Sequence, residues 1–236
     1  MRFDGKNVLI TGIGRAGQVG EAVAKAFAAE GARLAVVDLA LAEAEARAAE
    51  LRALGADARG YAADLSNEAQ VDFLAAEAGA VFGGRLDALV ALAGGFGATG
   101  PIAESEPALW HRQITINLTT AYLATRAFLP ALRTAGGAIV YFASAAALPG
   151  GAVGGIAAYA AAKSGVIALM RSVAADERAH HVRANALAPT AIRTAANLRS
   201  MGDQTNYVER EDVASAVCYL CSADAGAITG QIIRLG

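Results

Sequence analysis

Tyr159 and Lys163 stand four residues apart in Tyr159-Ala-Ala-Ala-Lys163, a spacing that puts a phenol and an ammonium on one face of a helix. A cation beside a phenol favours phenolate and lowers its pKa, so such a pair can move a proton near neutral pH. Alone, the pattern describes a surface pair more often than a site. Its setting favours chemistry: charges are few nearby, and the pair follows the loop after a β-branched apolar run that closes at Ser144. The Ser144 hydroxyl can face the same crevice. Asn117, in Ile-Thr-Ile-Asn-Leu, is a polar residue in an apolar helical stretch, a poor helix former there without a specific bond.

A second constellation lies near the start, in Thr11-Gly12-Ile13-Gly14-Arg15-Ala16-Gly17-Gln18-Val19-Gly20. Glycines let backbone approach a pyrophosphate closely, and the N-terminus of the following helix offers free N–H groups and a favourable dipole. The strand–turn–helix context is what gives this turn its meaning. Asp38 closes the next strand, where a carboxylate can accept from both ribose hydroxyls of an adenosine and would repel a 2'-phosphate. Arg15 argues the other way, since a basic residue in the turn can pair with that phosphate. Asp38 carries more weight, so NAD is expected over NADP. Asp64, in Ala-Asp-Leu after the third strand, falls at the adenine edge. Helix capping is the structural alternative for both aspartates.

These residues need a scaffold that brings them to one edge. Short apolar runs predict strands over Asn7–Thr11, Arg33–Asp38, Ala58–Ala62, Leu86–Ala93, Ala138–Ala143, Val182–Leu187 and Gln231–Leu235. Between them, Ala-rich amphipathic stretches predict helices over about Gln18–Glu30, Ala40–Leu54, Asn67–Phe82, Pro107–Leu132, Ile156–His180 and Val208–Ser222. The alternation implies an α/β fold, a single Rossmann-like doubly wound parallel sheet of about seven strands flanked by helices. Right-handed crossovers then collect every strand's carboxyl end, and the ligand crevice, on one edge.

Composition agrees: 55% of the 236 residues are hydrophobic and only 18% charged, as strands covered on both faces require. A net charge of −2 provides no field for nucleic acid. The uncharged run between Arg133 and Lys163 is broken by Gly136-Gly137, Pro149-Gly150-Gly151 and Gly154-Gly155, so no membrane span is expected. Cys218 and Cys221 fall in the apolar helical stripe of Val213, Val217 and Leu220 and read as buried structural thiols; no metal site is expected. Asp4 and Lys6 interrupt what would be the apolar part of a signal peptide, so the expected location is cytoplasmic.

In order and spacing, the turn from Thr11 to Gly20, Asp38, Asp64, Asn117, Ser144, Tyr159 with Lys163, Asn185-Ala-Leu-Ala-Pro189 with Ile192 and Thr194, and Ile228-Thr-Gly-Gln231 resemble the short-chain dehydrogenase/reductase family over essentially the whole chain. The resemblance implies one dinucleotide-binding domain over residues 1–236 with a short substrate loop at about 195–207. It makes Tyr159 the acid/base at a carbonyl or alcohol oxygen. Lys163 would hold the nicotinamide ribose and tune Tyr159, Ser144 would bond the substrate oxygen, and Asn117 would hold a water leading from Lys163 to solvent. Gly12, Arg15, Gln18, Val19, Asp38, Asp64, Leu65, Ala93, Gly94 and Pro189 would line the cofactor. Ile192 and Thr194 would touch its carboxamide and pyrophosphate ends. The partner is a small carbonyl or alcohol.

Four departures accompany the resemblance. The glycine turn is two residues longer than usual, with Gln18 where a glycine is common. That length resembles the enoyl-reductase-type members, which space their Tyr and Lys further apart than Tyr159 and Lys163. Ala91-Leu92-Ala93-Gly94 replaces Asn-Asn-Ala-Gly, losing polar groups that brace the sheet centre. The loop from Ser144 to Tyr159 is longer than usual for the family by about two residues and is Gly-rich. Pro189-Thr190 replaces Pro-Gly, and the segment from Ala195 to Tyr207 is a short lid, open or partly disordered. The helix from Ile156 to His180, with Ala161, Val166, Ala168, Leu169 and Ala175 beside its active face, is apolar nearly all round, and the resemblance implies homodimers or homotetramers built on it. A catalytically silent dinucleotide-binding protein is the competing reading. A sugar-nucleotide epimerase would need a larger C-terminal region than follows Thr194.

Overall fold

The computed structural model describes residues 1–236. The aliphatic runs form β1 (Asn7–Thr11), β2 (Arg33–Asp38), β3 (Ala58–Ala62), β4 (Ala88–Ala91), β5 (Ala138–Phe142), β6 (Arg183–Pro189) and β7 (Ile232–Leu235). They make one sheet in the order β3-β2-β1-β4-β5-β6-β7 with every pairing parallel. All carboxyl ends therefore leave at the same edge, and the strand order reverses between β1 and β4, where Thr11 lies opposite Ala91. That reversal opens the crevice. β1, β4 and β5 are buried along their full length, which is why they read as unbroken apolar runs.

Helices α1 (Val19–Ala29) and α2 (Leu41–Ala53) cover one face of the sheet together with α8 (Arg210–Cys221). The other face is covered by α3 (Glu68–Phe82), α5 (Thr120–Ala135) and α6 (Ala157–Asp176). α4 (Pro107–Ile114) precedes α5, and α7 (Ala195–Met201) lies beyond β6. Cys218 and Cys221 are buried on α8 without a disulfide, and burial pushes the Cys218 thiol up to about 12. No helix is long and apolar enough to cross a membrane.

Several elements differ from their sequence expectation. The single helix expected over Pro107–Leu132 is divided by a π-turn at Thr115–Thr119, because the Asn117 amide donates to the Gln113 carbonyl four residues back and takes it out of the regular ladder. β6 extends to Pro189 because Thr190 N–H donates to the Leu235 carbonyl at 2.9 Å, keeping β6 beside β7. The segment read as an open or disordered lid contains α7, capped by the Thr194 hydroxyl, which accepts from Asn197 N–H at 3.1 Å. Finally, α6 is not apolar all round: Ser164, Ala168, Arg171 and Ala175 form an exposed face of small and polar residues.

Candidate functional site

The glycine turn leaves β1 against the end of β4. Gly12 has φ +65°, and a Cβ there would lie 2.6 Å from Ala93 Cα, so this position takes glycine for closeness and conformation together. The polar brace that Ala91-Leu92 lacks is supplied by Thr11. Its hydroxyl accepts from the Leu92 and Ala93 N–H groups at 3.2 Å and donates to the Val90 carbonyl.

Asp38 ends β2 beside this turn. One carboxylate oxygen accepts from Gly14 N–H at 2.9 Å and the other from Leu39 N–H at 2.8 Å, leaving each oxygen a further lone pair for a hydroxyl. It caps no helix: α2 starts at Ala40 with no side-chain cap. Asp64 is not a cap either, since Asn67 caps α3. Instead, its carboxylate accepts from the Ser66 hydroxyl and N–H, which holds it below the usual carboxylate range. Leu65 beside it is buried.

The two extra turn residues have a structural use. Arg15 and Ala16 swing outward, and Arg15 approaches Glu43 at the start of α2 at 3.5 Å. Gly17 is held at both backbone groups: its N–H donates to Glu21 at 2.5 Å and its carbonyl accepts from Ala195 N–H at 3.2 Å. Glu21 is a residue that sequence reasoning missed, although its place in the first turn of α1 was a signal. Burial works to raise its pKa, but Lys25, the Gly17 N–H and Arg210 together bring it below the usual range. Gln18 and Val19 open α1. Pro189, Ile192 and Thr194 arrive from β6 at the same edge, where the start of α7 is bonded directly to the lengthened turn. A glycine turn without side-chain bulk, a helix start and Asp38 fit a dinucleotide.

On the β4–β5 side, Asn117 is buried and clamps Gly95: its carbonyl oxygen accepts from Gly95 N–H, and its amide donates to the Gly95 carbonyl, each at 3.0 Å. The same amide reaches the Gln113 carbonyl and side chain. Its hydrogens are thus spent on protein, and the side chain holds the loop after β4. A Cβ at Gly94 would sit 2.6 Å from Asn117 Oδ1 and 3.4 Å from Lys163 Nζ, so this backbone closes over both side chains.

Lys163 is buried and donates to the Phe142 carbonyl at 2.8 Å; burial pushes it down to about 8. Its Nζ lies 5.8 Å from the centre of the Tyr159 ring. The expected lowering of Tyr159 by this cation is not what the structure shows. Burial raises the phenol above its ordinary value, opposed only by the nearby Ser144 hydroxyl. The ammonium is directed at Phe142, so desolvation wins. Ser144 is half-buried at the end of β5, and its hydroxyl also accepts from Ala146 N–H at 3.3 Å. Sequence reasoning gave no role to Phe96, whose ring meets that of Tyr159 edge to face at 5.2 Å between centroids.

The depressed Lys163 carries a stability prediction. Below about pH 8 both folded and unfolded chains hold this proton, and the protein bears the full cost of the buried charge. Between 8 and the ordinary 10.5 the unfolded chain binds more protons, so stability rises with pH, by about 3 kcal/mol over the window. Denaturant melts from pH 7 to 10.5 should show that Lys163→Met loses this rise relative to the unmutated chain.

The family described as enoyl-(acyl carrier protein) reductase matches residues 12–235. D-threitol dehydrogenase of Mycolicibacterium smegmatis is 35% identical over 241 residues, covering 97% of this chain and 90% of the relative. The chain belongs to the short-chain dehydrogenase/reductase family. Among solved structures, a short-chain type dehydrogenase/reductase from Mycobacterium ulcerans matches with a TM-score of 0.90 at 29% identity, over 100% of this chain and 90% of that one. An NAD+-bound xylitol dehydrogenase matches with a TM-score of 0.90 at 27% identity, over 100% and 99%. As a short-chain dehydrogenase/reductase, the chain is an oxidoreductase of alcohols and carbonyls that uses a nicotinamide dinucleotide. The relatives are named for catalysis, and nothing among them supports a silent binding protein.

Proposed function

We propose that this short-chain dehydrogenase/reductase interconverts a secondary alcohol and its ketone with NAD(H) in preference to NADP(H). The observation carrying the cofactor reading is Asp38, whose carboxylate is anchored by Gly14 and Leu39 at the position where a 2'-phosphate would sit. Arg15, the one residue that could have welcomed that phosphate, is directed toward Glu43. The bound dinucleotide supplies or accepts the hydride. Tyr159 exchanges the proton at the substrate oxygen, and Ser144, whose hydroxyl lies near the Tyr159 phenol, donates to the same oxygen. Lys163, poised with its charge near Tyr159, holds the nicotinamide ribose. Asn117 keeps Gly94 and Gly95 in place above it.

Fluorescence titration should show NADH binding more tightly than NADPH, and NADH should support reduction of a ketone. Binding of neither cofactor overturns the function; tighter NADPH binding overturns the role of Asp38. Asp38→Asn should narrow the preference for NADH over NADPH by roughly 10- to 100-fold, the worth of a charge-assisted hydrogen bond.

For the assembly, the exposed face of α6, with Tyr122 half-exposed on the neighbouring α5, supports a homodimer or homotetramer built there, since small residues let two helices approach closely. Light scattering tests it. The buried, unpaired Cys218 and Cys221 support a reducing, cytoplasmic setting.

A further inference from the structure

Two loops border Tyr159: residues 92–103 after β4, which bring Phe96 to its ring, and residues 144–156 after β5, which begin at Ser144. They are tied together where Thr99 N–H and Gly100 N–H both donate to the Gly155 carbonyl, at 2.8 and 3.1 Å. Neither of these stretches contains a charged residue, the first charges after β4 being the exposed Glu104 and Glu106 ahead of α4. Apart from Ser144 itself, the only side chain in either loop able to hydrogen-bond is Thr99, and it is buried. The loops instead carry glycine, alanine, a few aliphatic residues and Phe96. Cβ positions at Gly100, Gly150 and Gly154 would meet nothing within 4 Å, so the walls are short of side-chain volume as well as of polarity.

Phe96 completes the picture. It is 68% exposed while its ring edge meets Tyr159. A large ring exposed beside the acid/base residue is an apolar surface that a substrate can cover. Of the nearby polar groups on the α7 side, Asn197 donates its amide to the Ile192 carbonyl, Ser200 donates to the Asn197 carbonyl, and Arg193 pairs with Glu209. They are already engaged.

We infer that the substrate is a ketone or secondary alcohol borne on a bulky apolar ring, which lies against Phe96 with its oxygen between Ser144 and Tyr159. The inference rests on the proposed function and narrows it. A polyol brings several hydroxyls that must each exchange water for a protein partner, and a site without such partners pays for every one left unmade. The two loops offer them none beyond the reacting oxygen. In this respect the site departs from what the names of the threitol and xylitol relatives would suggest.

The experiment compares specificity constants in the purified enzyme, with NADH and 1-tetralone or 2-methylcyclohexanone in one direction, and with NAD+ and D-threitol or xylitol in the other. Open-chain 2-butanone serves as a small reference, and the alcohols of the ring ketones are assayed with NAD+ so that direction is matched. Ring compounds are expected to exceed polyols by at least tenfold in kcat/KM. Phe96→Ala should raise KM for the ring ketones about tenfold or more, with kcat within a few-fold, and so lower the ratio of ring to open-chain specificity; burial of one ring face is worth roughly that much. Polyols oxidised as well as ring alcohols, or a Phe96→Ala ratio unchanged while NADH still binds, would overturn the substrate assignment and leave the proposed function standing. Cofactor binding without turnover of any compound, in either direction and with either dinucleotide, would overturn the function and the substrate class with it.

Discussion

Tyr159→Phe is expected to lower kcat by roughly 10²- to 10⁴-fold, the range for removing a positioned acid or base, while NADH binding stays within a few-fold of the unmutated enzyme. The ring is kept, and with it the edge contact to Phe96 and the contact with Lys163; only the hydroxyl near Ser144 is lost. Burial holds that phenol above its ordinary value in the protein alone. The group is therefore protonated through the neutral range and ready to give a proton to a ketone oxygen. For the reverse direction the phenolate must be stabilised, so alcohol oxidation should gain with rising pH while ketone reduction falls. Steady-state rates in both directions, paired with fluorescence titration of NADH, check this; retention of full kcat would remove Tyr159 from the proton transfer.

The second large effect is at Gly20. A Cβ there would overlap the Ile13 carbonyl oxygen and stand 2.7 Å from its carbon. Both are backbone atoms that no rotamer change can move aside. Gly20 is buried in the first turn of α1, and Ile13 is buried beneath it, so relief requires lifting α1 from the turn that would cradle the dinucleotide. Gly20→Ala should cost about 3 kcal/mol or more, lowering Tm by roughly 6 to 12 °C for a chain of this size, and should weaken NADH at least tenfold. Gly79→Ala is the matching control. It lies inside α3 with nothing within 4 Å of the added methyl, and there alanine should stabilise by about 0.5–1 kcal/mol. Thermal melts of the three proteins, with and without NADH, separate overlap at Gly20 from a general response to losing a glycine.

Much of the scaffold was legible in the residues because burial on both faces writes itself locally. β1, β4 and β5 are continuous apolar runs, and the helices between them show one apolar side. Strand–helix alternation then leaves little freedom in topology. The places where sequence reading fell short are few. Asn117 interrupts a helix by bonding Gln113 and Gly95, and the second of those partners lies 22 residues away. The two extra residues of the glycine turn looked like an insertion; what gives them a place is Gly17, bonded to Glu21 four residues on and to Ala195 at the start of α7. The short lid looked open because composition alone does not reveal that Thr194 caps a helix there. The Asn117–Gly95 and Gly17–Ala195 bonds join segments that no local period relates, whereas the Thr194 cap is a local bond three residues long.

The same division runs through the chemistry. Residue types and spacing by themselves determined that a phenol, an ammonium and a hydroxyl would gather near a dinucleotide turn ended by an aspartate, because helical period and strand ends place side chains by rule. Only the tertiary structure decided how those groups are charged and what surrounds them. Lys163 is turned to the Phe142 carbonyl and pushed down to about 8, Tyr159 is raised rather than lowered, and Phe96 rests on the tyrosine ring. Desolvation depends on every atom packed around a group, whatever its distance along the chain, so proton affinity and the apolar character of the site emerge only once the loops after β4 and β5 have closed together.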